Sequence, residues 1–329
     1  MKARTPIDAT IAITYHCNSR CEMCNIWQDK NPAEIPLEYF RNLNKDLKHI
    51  NLSGGEPFLR TDLPEIVKII KEVSPRAQII ISSNGLATGL IRKQIREIIK
   101  VEPKIGVRIS IDGLAKMHDA VRGVSGIFEQ AMQTIAMLKL EGVKNLGLSF
   151  TIMDHNVSEL LTVYDLSRQL DIQMSMALVQ NSEIYFNKGS NKITNLEILE
   201  RDLGHLIKSE LATWNIKRWL RAYYNFGLLL FARKQERLLP TGAGIDSLFI
   251  DAYGDIYPSN LINLKMGNLG QAELIKSWHD DQASVVRFEL DKGEIKESWI
   301  ICTIRGEIRR HIPRVAFWIL SHKFCRAKL

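Results

Sequence analysis

Cys17, Cys21 and Cys24 fall in one short loop, Cys-Asn-Ser-Arg-Cys-Glu-Met-Cys. Three thiolates can hold three irons of a [4Fe–4S] cluster and leave the fourth open to a small molecule. A cluster held by four cysteines mainly transfers electrons. A structural zinc site with His16 as fourth ligand is the alternative, although the paired Cys-x-x-Cys spacing usual for zinc is missing. The chain has five cysteines, an odd count with three crowded together, which argues for metal chemistry in a reducing cytoplasm over a disulfide scaffold. Iron and acid-labile sulfide content separates the cluster from zinc.

Such a loop needs a rigid frame. Strand-like and helix-like segments alternate through the first 180 residues. Strands are predicted at 9–16, 48–53, 78–82, 105–111, 146–152 and 172–179. Amphipathic helices are predicted at 62–73, around 91–99, and at 127–141 and 157–170. Six β-then-α units imply an α/β fold, a partial (β/α)6 TIM-like barrel with helices outside. Sites in such sheets lie at the carboxyl ends of the strands. The unusual polar clusters fall there: the cysteine loop after strand one, Gly54-Gly55-Glu56-Pro57 after strand two, Ser83-Asn84-Gly85 after strand three, and Ser110-Ile111-Asp112-Gly113 at the end of strand four.

Cysteine spacing, the preceding strand and the Gly-Gly-Glu-Pro segment together resemble the radical S-adenosylmethionine (radical SAM) enzymes, over about the first 180 residues. Their Cys-x-x-x-Cys-x-x-Cys signature has an apolar residue before the last cysteine, here Met23. The resemblance implies one [4Fe–4S] cluster on Cys17, Cys21 and Cys24, with S-adenosyl-L-methionine on the open iron. Its reductive cleavage gives a 5′-deoxyadenosyl radical that abstracts a hydrogen atom. It further implies cofactor contacts from Met23, Ser53, Gly54, Gly55, Glu56, Asn84, Ser110, Asp112 and Arg122. Gly54 and Gly55 allow close backbone approach; Glu56 or nearby carbonyls suit the ammonium; Ser110 and Asp112 suit the ribose hydroxyls; Arg122 suits the carboxylate.

The remainder divides into a helical connector (181–239), with Trp214, Trp219, Tyr223, Tyr224 and Phe226, and a smaller C-terminal α/β extension (240–329) with a hairpin at 247–257. The extension resembles a degenerate SPASM/twitch module. Thr241, Ser259 and Ser298 stand where cysteines are expected, leaving Cys302, and hydroxyls are poor iron ligands. One cluster, not two, is therefore expected. Cys302 and Cys325 read first as buried apolar thiols or remnant ligands, and hydrogen-atom donation by one of them to a substrate radical ranks below that.

The formal charge is +7, and residues 305–329 carry seven basic groups against Glu307, a net +6. The basic balance therefore belongs to the tail, not to a nucleic-acid-binding face. A helix beginning near Pro313 either closes the barrel edge or lies on an anionic membrane. No signal peptide or spanning segment is evident. The expected partners are a small-molecule, sugar or lipid-linked substrate and an electron donor such as flavodoxin or ferredoxin. A ribosomal-peptide maturase ranks lower, because strand one starts near Asp8 and leaves no room for a leading peptide-docking domain. A catalytically silent scaffold ranks lowest, given the intact cysteine loop.

Overall fold

A computed structural model describes residues 3–293, 295 and 298–324. In chain order the regular elements begin β1 (Asp8–Thr14), β2 (His49–Gly54), α1 (Leu63–Val73), β3 (Gln78–Ser83), α2 (Thr88–Val101), β4 (Gly106–Ser110) and α3 (Ala115–Arg122). Then come α4 (Ile127–Leu140), β5 (Asn145–Ile152), α5 (Leu160–Gln169) and β6 (Gln173–Leu178). The remaining elements are α6 (Leu196–Leu211), α7 (Ile216–Lys234), β7 (Ser247–Ile250), β8 (Asp255–Tyr257), β9 (Gly267–Asn268), α8 (Leu274–His279), α9 (Asp281–Asp291), α10 (Ile301–Arg310) and α11 (Ile312–Phe324).

Strands β1 to β6 run parallel in sequence order, the arrangement expected of successive βα units. Every residue of β1 is buried, because helices cover one face of the sheet and the barrel interior lies on the other. Helix α1 shows how the outer layer is fixed. Leu63, Ile66, Val67 and Ile70 turn inward, while Glu65 and Lys68 pair in solvent. Each such aliphatic side chain contributes roughly 1.5–3 kcal/mol on burial.

The barrel is open, so β1 has a second edge whose backbone groups need partners. The hairpin fills that need: β7 pairs parallel with β1 from Asp8↔Ser247 to Ile11↔Ile250, and β8 and β9 follow antiparallel. The expected extension is therefore built onto the barrel's own sheet, giving nine strands in the order β6-β5-β4-β3-β2-β1-β7-β8-β9.

Helices α6 and α7 pack together, and Trp299 packs against α7. The Trp299 indole donates to the Tyr224 carbonyl (2.9 Å) and lies so close that a Cβ on Gly227 would stand 2.2 Å from its ring. Helix α11 buries Val315 and Ile319, and Trp318 packs on Tyr223 and Phe226. Ile312, Phe317, Leu320 and Phe324 of the same helix are exposed. Cys325, Arg326 and Lys328 lie outside the described residues. No helix among the described residues is long and apolar enough to cross a membrane.

Candidate active site

The cysteine loop leaves β1 and is held from three sides. Gly55 N–H donates to Thr14 O and Glu56 N–H to His16 O, both at 2.7 Å. Side chains on Gly54 and Gly55 would put Cβ atoms 2.1 Å from Thr14 O and 2.0 Å from His16 O. These glycines were expected to make room for a cofactor. The structure gives a nearer reason: the loop's own backbone occupies that space.

On the second side, Arg20 and Glu22 N–H groups donate to Arg122 O and Val121 O (both 2.9 Å). On the third, the segment after β6 crosses the loop. Asn25 N–H donates to Phe186 O (2.8 Å), and the Asn191 amide donates to Met23 O (3.1 Å). Tyr185 Oη hydrogen-bonds Ser53 Oγ (2.6 Å) and accepts from Gly54 N–H (3.3 Å). Tyr185 was missed in the sequence because its Ile-Tyr-Phe run reads as ordinary packing.

The three cysteines are free thiols that line one cavity of about 680 Å³. Tyr15, Ile26 and Phe249 form an apolar cluster against Cys17 and Cys24; Met23, Val121 and Met153 form another against Cys21 and Cys24. Burial pushes the Cys17 thiol up to about 12 and Cys24 up to about 11. Burial disfavours the bare thiolates, so a bound metal would have to supply the compensating charge. Arg122 Nη1 donates to Cys21 Sγ at 3.6 Å, and its Nη2 lies 2.5 Å from Asp112 Oδ2. Burial would lower the Arg122 pKa, but Asp112 and Cys21 outweigh it and raise it. Asp112, raised by burial despite Arg122, also accepts from Thr151 N–H (2.7 Å). His118 Nδ1 accepts from Asp112 N–H (2.9 Å), and burial lowers the imidazole to about 3, so it stays neutral.

Of the expected site residues, Cys17, Cys21, Met23, Cys24, Ser53, Gly54, Gly55, Asn84, Ser110 and Arg122 line the cavity. Glu56 and Asp112 stand behind its wall. The Glu56 carboxylate accepts from Phe58 N–H (3.2 Å), Ser83 Oγ (2.8 Å) and Asn84 N–H (2.7 Å), tying the end of β2 to the end of β3. Asn84 in turn donates to Asn18 Oδ1 in the cysteine loop (2.8 Å). Glu56 and Asp112 thus hold rim residues that face the cavity, Glu56 through Ser83 and Asn84 and Asp112 through Arg122.

The donor set fits a cluster with a ligand beside it. A structural zinc site would take a fourth protein ligand beside the three thiols. A cubane instead offers separate iron corners to its thiolates. His16 is exposed and absent from the cavity wall. Ser19 Oγ and Arg122 Nε, both buried on that wall, have no hydrogen-bond partner among the described residues. Buried polar atoms without partners are rare, and these sit beside the thiols.

Where cysteines were expected in the extension, hydroxyls close turns. Thr241 Oγ1 accepts from Ala243 N–H (2.9 Å) and Ser259 Oγ from Leu261 N–H (3.3 Å). Cys302, on α10, lines the barrel cavity.

The sequence profile of the Radical SAM superfamily matches residues 11–166. The pre-heme d1 synthase of Dinoroseobacter shibae is 34% identical over 295 residues, covering 81% of this chain and 71% of that protein. The mycofactocin maturase MftC of Mycobacterium ulcerans is 29% identical over 162 residues, 47% of this chain and 42% of the maturase. Over such 162-residue matches the chain spans about two fifths of the length of the relatives concerned, the Fe-coproporphyrin III synthase of Methanosarcina barkeri (34% identical) among them. A solved structure described as native anSMEcpe with bound AdoMet and Kp18Cys peptide superposes with a TM-score of 0.64 at 14% identity, covering 98% of each chain. At that identity it shows a shared fold.

Proposed function

Because this chain belongs to the Radical SAM superfamily, an enzyme family that uses a [4Fe–4S] cluster and S-adenosylmethionine, we propose that it activates a C–H bond of a small molecule with a single cluster. The observation that carries this reading is one cavity joining three free thiols to the barrel interior. Cys17, Cys21 and Cys24 would hold the cluster. Gly54, Gly55, Asn84, Ser110 and Arg122 would face the S-adenosylmethionine. When bound, the pair supplies hydrogen-atom abstraction, begun by one-electron cleavage of a sulfonium bond.

The protein's part is positioning and exclusion. Arg122 donates to the Cys21 sulfur and is aimed by Asp112. Met23, Met153 and Tyr15 keep water from the thiols. The division into a 1–180 barrel, a 181–239 connector and a 240–329 degenerate SPASM-like extension belongs to the same proposal. It is supported by the turn-closing Thr241 and Ser259. Without a second cluster to take an electron, epimerisation or rearrangement is favoured over oxidation. The reductant would be a flavodoxin or ferredoxin.

The test is anaerobic reconstitution, reduction and assay for 5′-deoxyadenosine. About four irons per chain and cofactor cleavage are expected. Eight irons refute the single cluster, and zinc without cleavage refutes the whole reading. A ribosomal-peptide maturase is the second reading, favoured by the maturase-named relative. Deuterium transfer from labelled candidate substrates into 5′-deoxyadenosine decides between them.

Peripheral membrane contact through the tail is also proposed, supported by the exposed Ile312, Phe317, Leu320 and Phe324. Liposome flotation of the Phe317→Glu, Leu320→Glu double variant tests it. Unchanged flotation removes the membrane from the account.

A further inference from the structure

Below the rim, the cavity wall changes chemistry. Small polar side chains line it first: Asn51, Ser82, Ser149 and Ser175, with Ser82 Oγ donating to Asn51 Oδ1 (3.0 Å). Deeper still, cations converge from three elements. Arg108 comes from β4, about 7 Å along the strand below Ser110. Arg221 and Lys217 come from α7, one turn apart. Arg305 and Arg309 come from the cavity-facing side of α10, again one turn apart. Among the described residues the only acid on the wall is Asp8, already paired with Arg305 at 2.5 Å.

Arg108 has only neutral partners: the carbonyls of Val107 (3.0 Å) and Asn145 (2.8 Å) and Asn145 Oδ1 (2.8 Å). Room for it is made by Gly147, whose Cβ would stand 3.1 Å from Arg108 Cδ. Among the described residues, the side chains of Arg221, Arg309 and Lys217 have no ion pair or hydrogen bond. Desolvation lowers Arg108 to about 10, helped by the charges of Arg221 and Arg305. Desolvation, with Arg305 and Arg309, lowers His49 nearby to about 4. Like charges gathered in a shielded chamber repel one another unless an anion joins them.

Two of these cations, Arg305 and Arg309, belong to the basic tail. The sequence suggested that its charges lie in solvent or on a membrane. The fold instead places both on the cavity wall, Arg305 half-buried and Arg309 still exposed. Arg310 pairs with Asp246 and Glu307, and Lys323 donates to Leu211 O (2.5 Å) and Thr213 O (2.9 Å).

We propose that this basic floor of the barrel binds a substrate carrying two or more phosphate or carboxylate groups, holding its anionic end there while the reacting carbon faces the cysteine loop. The proposal deepens, and depends on, the reading of the cavity as the substrate chamber. Guanidinium forks match the paired oxygens of both groups. The cavity of about 680 Å³ runs from the cysteine loop to these cations, so a single ligand could reach both ends. A neutral analogue would leave the mutually repelling charges of Arg108, Arg221 and Arg309 on the cavity wall without a bound anion.

The full chain is titrated calorimetrically with inorganic pyrophosphate and with citrate, each against sodium chloride of equal ionic strength. Saturable binding of at least one probe, with Kd below about 1 mM, is expected. Arg221→Gln and Arg309→Gln should each weaken it roughly tenfold, the loss of one charged hydrogen-bonding group. Lys276→Gln, at an exposed side chain of α8, should not. Neither arginine has a protein partner, so neither substitution breaks a native pair; should one fail to fold, Arg309→Lys keeps the charge and should bind better than Arg309→Gln. Preference for pyrophosphate assigns a phosphorylated substrate, and preference for citrate a polycarboxylate. No saturable binding of either, or binding indifferent to both glutamine substitutions, overturns the proposal. Iron content of the same preparation reports separately on the enzyme reading: iron with no polyanion binding refutes this inference alone, and polyanion binding with no iron refutes the other.

Discussion

Replacing Glu56 by Gln should change how the protein's stability depends on pH. Glu56 is almost fully buried, and desolvation pushes its carboxyl from 4.5 to about 7, against three hydrogen bonds from Asn84, Ser83 and Phe58 that pull it down. A carboxyl that holds its proton more tightly in the folded chain than in the unfolded one favours folding below the unfolded pKa. That advantage fades as pH rises from about 4.5 to about 7, and over this window it amounts to about 3 kcal/mol. Gln carries no such proton. Its amide cannot satisfy all three donors, but that cost does not depend on pH. The stability of Glu56→Gln minus that of the parent should therefore climb by about 3 kcal/mol between about pH 4 and pH 8. Urea unfolding of the metal-free chain across that range measures it, and other titrating groups cancel in the difference. A flat difference would mean that the three donors, not burial, set the charge on Glu56. The account of Glu56 as a carboxyl whose proton is held by burial would then fail.

Cys21→Ala should leave a folded chain with a melting temperature within a few degrees of the parent, yet with no cluster absorbance and no cofactor cleavage. Normal iron content would remove Cys21 from the ligand set. Gly55→Ala forces a methyl toward His16 O and disturbs two 2.7 Å backbone bonds. A loss of about 3 kcal/mol is expected from overpacking and weakened hydrogen bonds, together with poor iron uptake. Unchanged unfolding and iron content would show that the loop is not clamped there. Gly227→Ala drives a methyl into the Trp299 indole and should cost roughly 1–3 kcal/mol in urea unfolding; a neutral result would mean that Trp299 moves freely.

The barrel was legible in the sequence because each βα unit writes its own period. β1 to β6 lie within one or two residues of the segments marked by Ile11, Leu52, Ile81, Ile109, Leu148 and Met176. The rim was legible because its polar clusters interrupt that pattern at regular places. What escaped depends on partners distant in the chain. Nothing near Ser247 says that it pairs with Asp8. Glu56 carries the same letters whether it faces a ligand or Asn84, and only the fold of the next unit decides. Arg305 and Arg309 read as part of a charged tail, because helical spacing cannot tell a solvent-facing side from one facing a chamber.

The strand that leads into the cysteine loop has neighbours from opposite ends of the polypeptide, β2 on one flank and β7 on the other. During synthesis the first flank is available early, and the second only after Ser247–Ile250 has emerged. Until then the seam beside the future metal centre stays unzipped, and Phe249 and Tyr257 cannot shelter Cys17 and Cys24. Maturation should thus be timed by translation: ribosome-bound chains halted before residue 247 should fail to retain iron, and those released past 260 should keep it. Equal retention by both would show that the N-terminal half builds its metal nest unaided.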